Sequence, residues 1–111
     1  MKRILNHNPI TSLSEEHKKE YISKIGPEGA ALIIAEECSE LIKAVTKCRR
    51  TERTKGTVPE KQKQALTEEL AHVYMAMQTI QTRYEIAPAD INKQIYKSLQ
   101  RYENGHVLEI E

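Results

Sequence analysis

Two short acidic clusters carry the residue types most able to do chemistry in this chain: Glu36-Glu37-Cys38-Ser39-Glu40 and Glu69-Leu70-Ala71-His72. Carboxylates three and four residues apart share one flank of a helix, and an imidazole three residues after a glutamate extends the same pattern. Anions gathered in this way repel unless a cation lies between them, and hard oxygen ligands favour Mg²⁺ or Mn²⁺. A solvated acidic helix face is the ordinary alternative. Two features weigh against it. Ala30 to Ala35 is apolar all round a helix, so Glu36, Glu37 and Glu40 continue faces that must be covered. The second cluster also repeats the spacing of the first, which a solvated face does not require.

The elements that position these clusters follow from periodicity and punctuation. Ser12-Leu13-Ser14-Glu15 has the form of a capping box, and Leu13, His17, Tyr21 and Ile25 make an i, i+4 stripe ending at Gly26-Pro27. A second helix is expected from Glu28 to about Arg49, with the seam Ala31, Ile34, Cys38, Leu41, Val45 and Cys48. Residues Arg50 to Pro59 lack periodicity and read as a loop. Leu66, Leu70, Val73, Met77, Ile80 and Tyr84 then define a third helix from about Glu60 to Tyr84. Pro88 suits a first helical turn, and Ile91, Ile95, Leu99 and Tyr102 form a fourth stripe that stops near Gly105. The tail Val107-Leu108-Glu109-Ile110 could pair as a short strand. The expected fold is all-α, a four-helix bundle in a single domain over residues 1–111.

With the seam residues at heptad positions a and d, Glu37 and Glu69 both fall at g, and Glu40 and His72 both fall at c. An antiparallel pair turning near residues 54 and 55 then brings 36–40 level with 69–72. Side and height both agree with one site.

This ordered set resembles the EExxE(…)ExxD signature of the MazG-like all-α nucleoside triphosphate pyrophosphatases, a group that includes dimeric dUTPases and dCTP pyrophosphatases. The likeness spans roughly residues 25 to 102. It rests on Glu36-Glu37-x-x-Glu40, a gap of 28 residues, Glu69-x-x-His72, a glycine before the second helix, Glu40-Leu41, Glu68 to Ala71, and the pair Lys97 and Arg101. The resemblance implies Mg²⁺-dependent hydrolysis of a nucleoside triphosphate to monophosphate and pyrophosphate. It makes Glu37, Glu40 and Glu69 metal ligands and Glu36 a ligand or the group orienting the attacking water. Lys97 and Arg101 become phosphate contacts, extended by Lys93 at i, i+4.

One position departs from the family. His72 stands where the signature has aspartate, exchanging an anionic oxygen for a neutral nitrogen that suits Mn²⁺, Co²⁺ or Zn²⁺ better than Mg²⁺. An active site with altered metal preference, an outer-shell hydrogen-bonding role, and a silenced site are all consistent with that exchange. A non-catalytic helical nucleotide-binding or regulatory protein on the same scaffold is therefore the alternative to an enzyme. Glu69-x-x-His72 is also the i, i+3 motif of dimetal bundles, but the only other match, Glu103-x-x-His106, is interrupted by Gly105.

Bulk properties bound the remaining classes. In 111 residues, 17 basic and 16 acidic side chains nearly cancel to +1, which argues against a dedicated nucleic-acid or membrane protein. Charge is nonetheless uneven. Residues 47–63 hold Lys47, Arg49, Arg50, Arg53, Lys55, Lys61 and Lys63 against Glu52 and Glu60, seven cations against two anions for a net +5. This segment reads as a basic loop beside the site, a candidate flap over the triphosphate or simply a solvated loop. Cys38 and Cys48, ten residues apart and about 15 Å along one helix, cannot pair within it and read as reduced thiols. Asn6, His7 and Asn8 interrupt any signal-peptide core, and Ala30 to Ala35 is too short to span a bilayer. A soluble cytoplasmic protein is expected. The small size and the all-round apolar start of the second helix favour a homodimer or homotetramer. There is no Trp or Phe, so base stacking falls to Tyr21, Tyr74, Tyr84, Tyr96 or Tyr102, and the base stays open.

Overall fold

A computed structural model of the chain describes residues 13–105, and within them the protein is entirely helical, with four helices and no strand. Helices α1 (15–25) and α2 (27–55) form the continuous run Glu15–Lys55, broken only at Gly26. They are followed by α3 (Glu60–Arg83) and α4 (Pro88–Glu103). The expected tail strand at 107–110 lies outside the described residues, as does Ser12 of the expected capping box. Among the described residues, no helix is long and apolar enough to cross a membrane.

Local chemistry accounts for the breaks. Ser14 caps α1, its hydroxyl accepting from the His17 N–H at 3.1 Å, with Glu15 and Glu16 in the first turn where the helix dipole favours anions. Gly26 adopts φ 80° and ψ 160°, a backbone conformation nearly restricted to glycine, and Pro27 restarts the helix with its missing N–H at no cost. At the other end, Gly56 sits at φ 82° and returns its N–H to the Glu52 carbonyl at 2.8 Å, closing α2 with a left-handed cap. Pro88 occupies the first turn of α4 as expected.

Helix α2 runs further than its apolar pattern suggests. The expected loop from Arg50 to Pro59 shrinks to Gly56–Pro59, because Arg50–Lys55 continues as solvated helix. Thr54 donates its hydroxyl back to the Arg50 carbonyl at 3.1 Å, Arg49 pairs with Glu52 at 3.2 Å, and Arg53 and Lys55 complement the dipole at the last turn. The basic segment is therefore not a flap beside the acidic clusters. Arg53 stands 16 residues beyond Glu37 on one helix, about 24 Å at the helical rise.

The extensive packing is between the Glu15–Lys55 run and α3. Covered positions repeat at 30, 34, 37, 41, 44, 48 and 51 on α2 and at 62, 66, 69, 73, 76 and 80 on α3, the four-three spacing of a helix pair. This face is rotated from the expected seam. Ala30, Ala44 and Ala76 let the backbones approach, and Val45, Leu70 and Met77, expected at the centre, are 47%, 42% and 40% exposed. Buried residues are few among those described: Ala30, Cys48, Ala76 and Thr79, the last satisfied by donating to the Met75 carbonyl at 3.0 Å. The Leu13 N–H, donating to Gln78 Oε1 at 2.7 Å, ties the start of α1 to α3. Helix α4 buries none of its residues, so the described part of one chain does not close into a bundle.

Candidate metal centre

The rotation of the α2–α3 face changes the status of two carboxylates. Glu37 and Glu69 lie within the contact seam rather than on its flank, with side chains only 21% and 23% exposed. Opposing positions pair as the antiparallel register requires. Glu37 meets His72, and the Cys48 thiol approaches the Gln62 carbonyl at 3.7 Å, both pairs having their midpoint at residues 54–55.

His72 Nδ1 lies 3.2 Å from Glu37 Oε2 and 3.9 Å from Glu69 Oε2. Those two oxygens are shielded from solvent, and neither has a hydrogen-bond partner among the described residues. Shielded, unsatisfied carboxylate oxygens are costly. An imidazolium at His72 would compensate one of the two charges; a divalent cation would compensate both. One ligand atom from each of Glu37, Glu69 and His72 can be chosen so that all lie within 4.8 Å of one another, close to the span of two metal–ligand bonds of about 2.2 Å. The set of two oxygens and one nitrogen suits Mn²⁺, Co²⁺ or Zn²⁺ ahead of Mg²⁺. His72 is 53% exposed, which leaves one side of the cluster open to solvent and to an incoming ligand.

Glu36 and Glu40 are placed differently. They line an open hollow of about 580 Å³ with Ala35, Glu37 and Ser39, so Glu37 belongs both to the hollow and to the three-residue cluster. Glu40 is exposed and pairs with Lys43 at 3.5 Å on its own helix, outside the cluster. A surface pair of this kind is worth little and yields readily to a stronger partner. Lys93, Lys97 and Arg101 are all exposed on α4, which has no extensive interface with the pair that carries the acidic residues.

The seam position of Glu37 and Glu69 was the feature least accessible from the apolar pattern. A four-three count over Ala30, Ile34, Glu37, Leu41, Ala44 and Cys48 would have found it, but that count requires accepting a glutamate as a seam residue. No family model, curated protein or solved structure matches the chain.

Proposed function

We propose that the protein is a divalent-metal-dependent nucleoside triphosphate pyrophosphohydrolase, releasing pyrophosphate and the nucleoside monophosphate. The observation that carries this reading is the pair of shielded, unpartnered carboxylate oxygens on Glu37 and Glu69 beside the His72 imidazole. The resemblance of the EExxE and ExxH spacing to the MazG-like pyrophosphatases supplies the reaction class.

A bound divalent ion would neutralise charge developing on the phosphate oxygens and lower the cost of forming hydroxide from water. Glu37, Glu69 and His72 would hold it. Glu36, at the rim of the hollow, would accept the proton of the attacking water or orient it. Glu40 would leave Lys43 and complete the ligand set when phosphate oxygens enter. Lys97, Arg101 and Lys93 would bind the leaving pyrophosphate, a role that rests on the resemblance. Mn²⁺, Co²⁺ or Zn²⁺ would suit this set better than Mg²⁺, because His72 stands where the resembling family has an anionic oxygen.

The test is pyrophosphate release from a panel of ribo- and deoxynucleoside triphosphates with Mg²⁺, Mn²⁺ or Co²⁺, beside Glu37→Gln. Turnover with at least one nucleotide, strongest in Mn²⁺ or Co²⁺ and lost in the variant, is expected. Nucleotide binding with no release under any metal would establish the non-catalytic alternative.

A further inference from the structure

The α2–α3 pair carries a second cavity, nearer its turn. It measures about 370 Å³ and is more enclosed than the hollow beside Glu36. Ala44, Cys48, Pro59 and Ala65 give it apolar walls, and Lys47, Lys61 and Gln62 supply its polar groups. A mostly apolar cavity of this size with a few convergent polar groups is the usual form of a small-molecule site. The Cys48 thiol approaches the Gln62 carbonyl at 3.7 Å and joins the two helices along its wall. The side-chain oxygen of Gln62 is shielded from solvent and has no hydrogen-bond partner among the described residues. It is an acceptor in need of a donor.

Its place on the pair relates this cavity to the candidate metal centre. Lys47 follows Glu40 by seven residues and Glu36 by eleven, while Ala65 and Lys61 precede His72 by seven and eleven. These intervals are close to two and three whole turns, so all six residues share one flank of the pair. The register agrees as well, because Lys47 and Gln62 have the same midpoint, residues 54–55, as Glu37 and His72. Seven residues at the helical rise separate the two places by about 10 Å. That is the reach of one nucleotide from its α-phosphate to its base.

We propose that this cavity receives the base of the nucleotide and selects a lactam edge, a ring N–H beside a carbonyl, as in uracil, thymine, guanine and hypoxanthine. The inference rests on the hydrolysis proposed above and names the class of substrate it acts on. Gln62 Oε1 accepts from the ring N–H, and the ammonium of Lys47 or Lys61, both exposed at the rim, donates to the carbonyl oxygen. Adenine has no carbonyl for the lysines. In cytosine the ring nitrogen beside the carbonyl is an acceptor and cannot satisfy Gln62. A phosphate group fits poorly for the same reason, since its oxygens would face the Gln62 oxygen. The walls are alanine, proline and thiol with no aromatic ring, so hydrogen bonding rather than stacking carries the choice of base. A nucleoside lying toward the α2–α3 turn leaves the end nearer α4 for the pyrophosphate, in keeping with the roles proposed for Lys93, Lys97 and Arg101.

Alanine ¹³C-methyl spectra of the full-length chain, titrated with uridine, guanosine and adenosine monophosphates, read the cavity without any turnover. Larger shifts at Ala44 and Ala65 with the first two are expected, and Gln62→Leu should remove the difference. Equal shifts with all three, or none at either methyl, would overturn the assignment. In pyrophosphate release with Mn²⁺, kcat/KM should be at least about 10-fold higher for UTP and GTP than for ATP and CTP. Ala65→Leu fills the cavity from an exposed helical position and should raise KM for UTP at least about 10-fold while Mn²⁺ binding is retained. Turnover without base preference and indifferent to Ala65→Leu would overturn the base site and leave the hydrolysis standing. No turnover, with selective shifts at Ala44 and Ala65, would remove the hydrolysis and keep the cavity as a nucleobase site.

Discussion

At the residue scale, the candidate site reduces to the question of what balances Glu37 and Glu69. Both were identifiable from spacing alone, as was the height of His72, one turn from Glu69 and across the pair from Glu37, because i, i+3 and i, i+4 offsets and an antiparallel turn fix relative positions without any knowledge of packing. Coverage was expected of Glu36, Glu37 and Glu40 alike, from the apolar run that precedes them; it holds for Glu37, while Glu36 and Glu40 are exposed. The partial burial of Glu69 was not foreseen, because glutamate in a helix usually marks solvent and only the alanines at 30, 44 and 76 reveal that the contact face turns toward it. Glu40 shows the converse: its motif position is unambiguous, yet its side chain pairs with Lys43. Two substitutions separate these roles. Glu69→Gln removes one anionic ligand and should weaken Mn²⁺ binding by at least about 100-fold in isothermal titration, with far-ultraviolet circular dichroism unchanged. His72→Asp restores an oxygen donor and should shift the metal preference toward Mg²⁺ in the same titration. No change in preference would assign His72 to a hydrogen-bonding role around the ion.

At the element scale, glycine and proline gave the clearest boundaries and the solvated helix end gave the poorest. Gly26-Pro27, Pro59 and Pro88 mark real junctions because their backbone constraints act locally. The end of α2 was obscured because Arg50–Lys55 is held by a threonine back-bond, one ion pair and dipole complementarity, none of which leaves an apolar period. Gly26 has nothing within 4 Å of the place a Cβ would occupy, so the cost of a side chain there is conformational, not steric crowding with distant atoms. Gly26→Ala should destabilise the fold by about 1–3 kcal/mol in urea denaturation, from the strain of φ 80° and ψ 160°. Ser14→Ala should cost less, about 1 kcal/mol, through loss of the cap on His17 N–H. Equal effects from the two substitutions would mean that the break between α1 and α2 relaxes without penalty.

At the scale of the whole molecule, the all-α class and four helices were legible because each helix carries its own periodic signal. The packing between them was not, since periodicity reports that a face is covered and not by what. Helix α4 makes the point: its stripe is as regular as that of α3, yet it buries no residue in the described chain. A ligand that binds only the folded state should compensate for the sparse core. Saturating Mn²⁺ at about 100 times its dissociation constant should add about 2.7 kcal/mol to unfolding stability, and Glu37→Gln should abolish that increment.

The most direct test of the central claim, that Glu37, Glu69 and His72 share one divalent ion, is pulsed electron paramagnetic resonance of Mn²⁺ added to the protein. Modulation from one directly bound nitrogen, lost in His72→Asp and accompanied by loss of the bound ion in Glu37→Gln, is the predicted result. Mn²⁺ that shows no nitrogen coupling, or that binds equally well to Glu37→Gln, would contradict it.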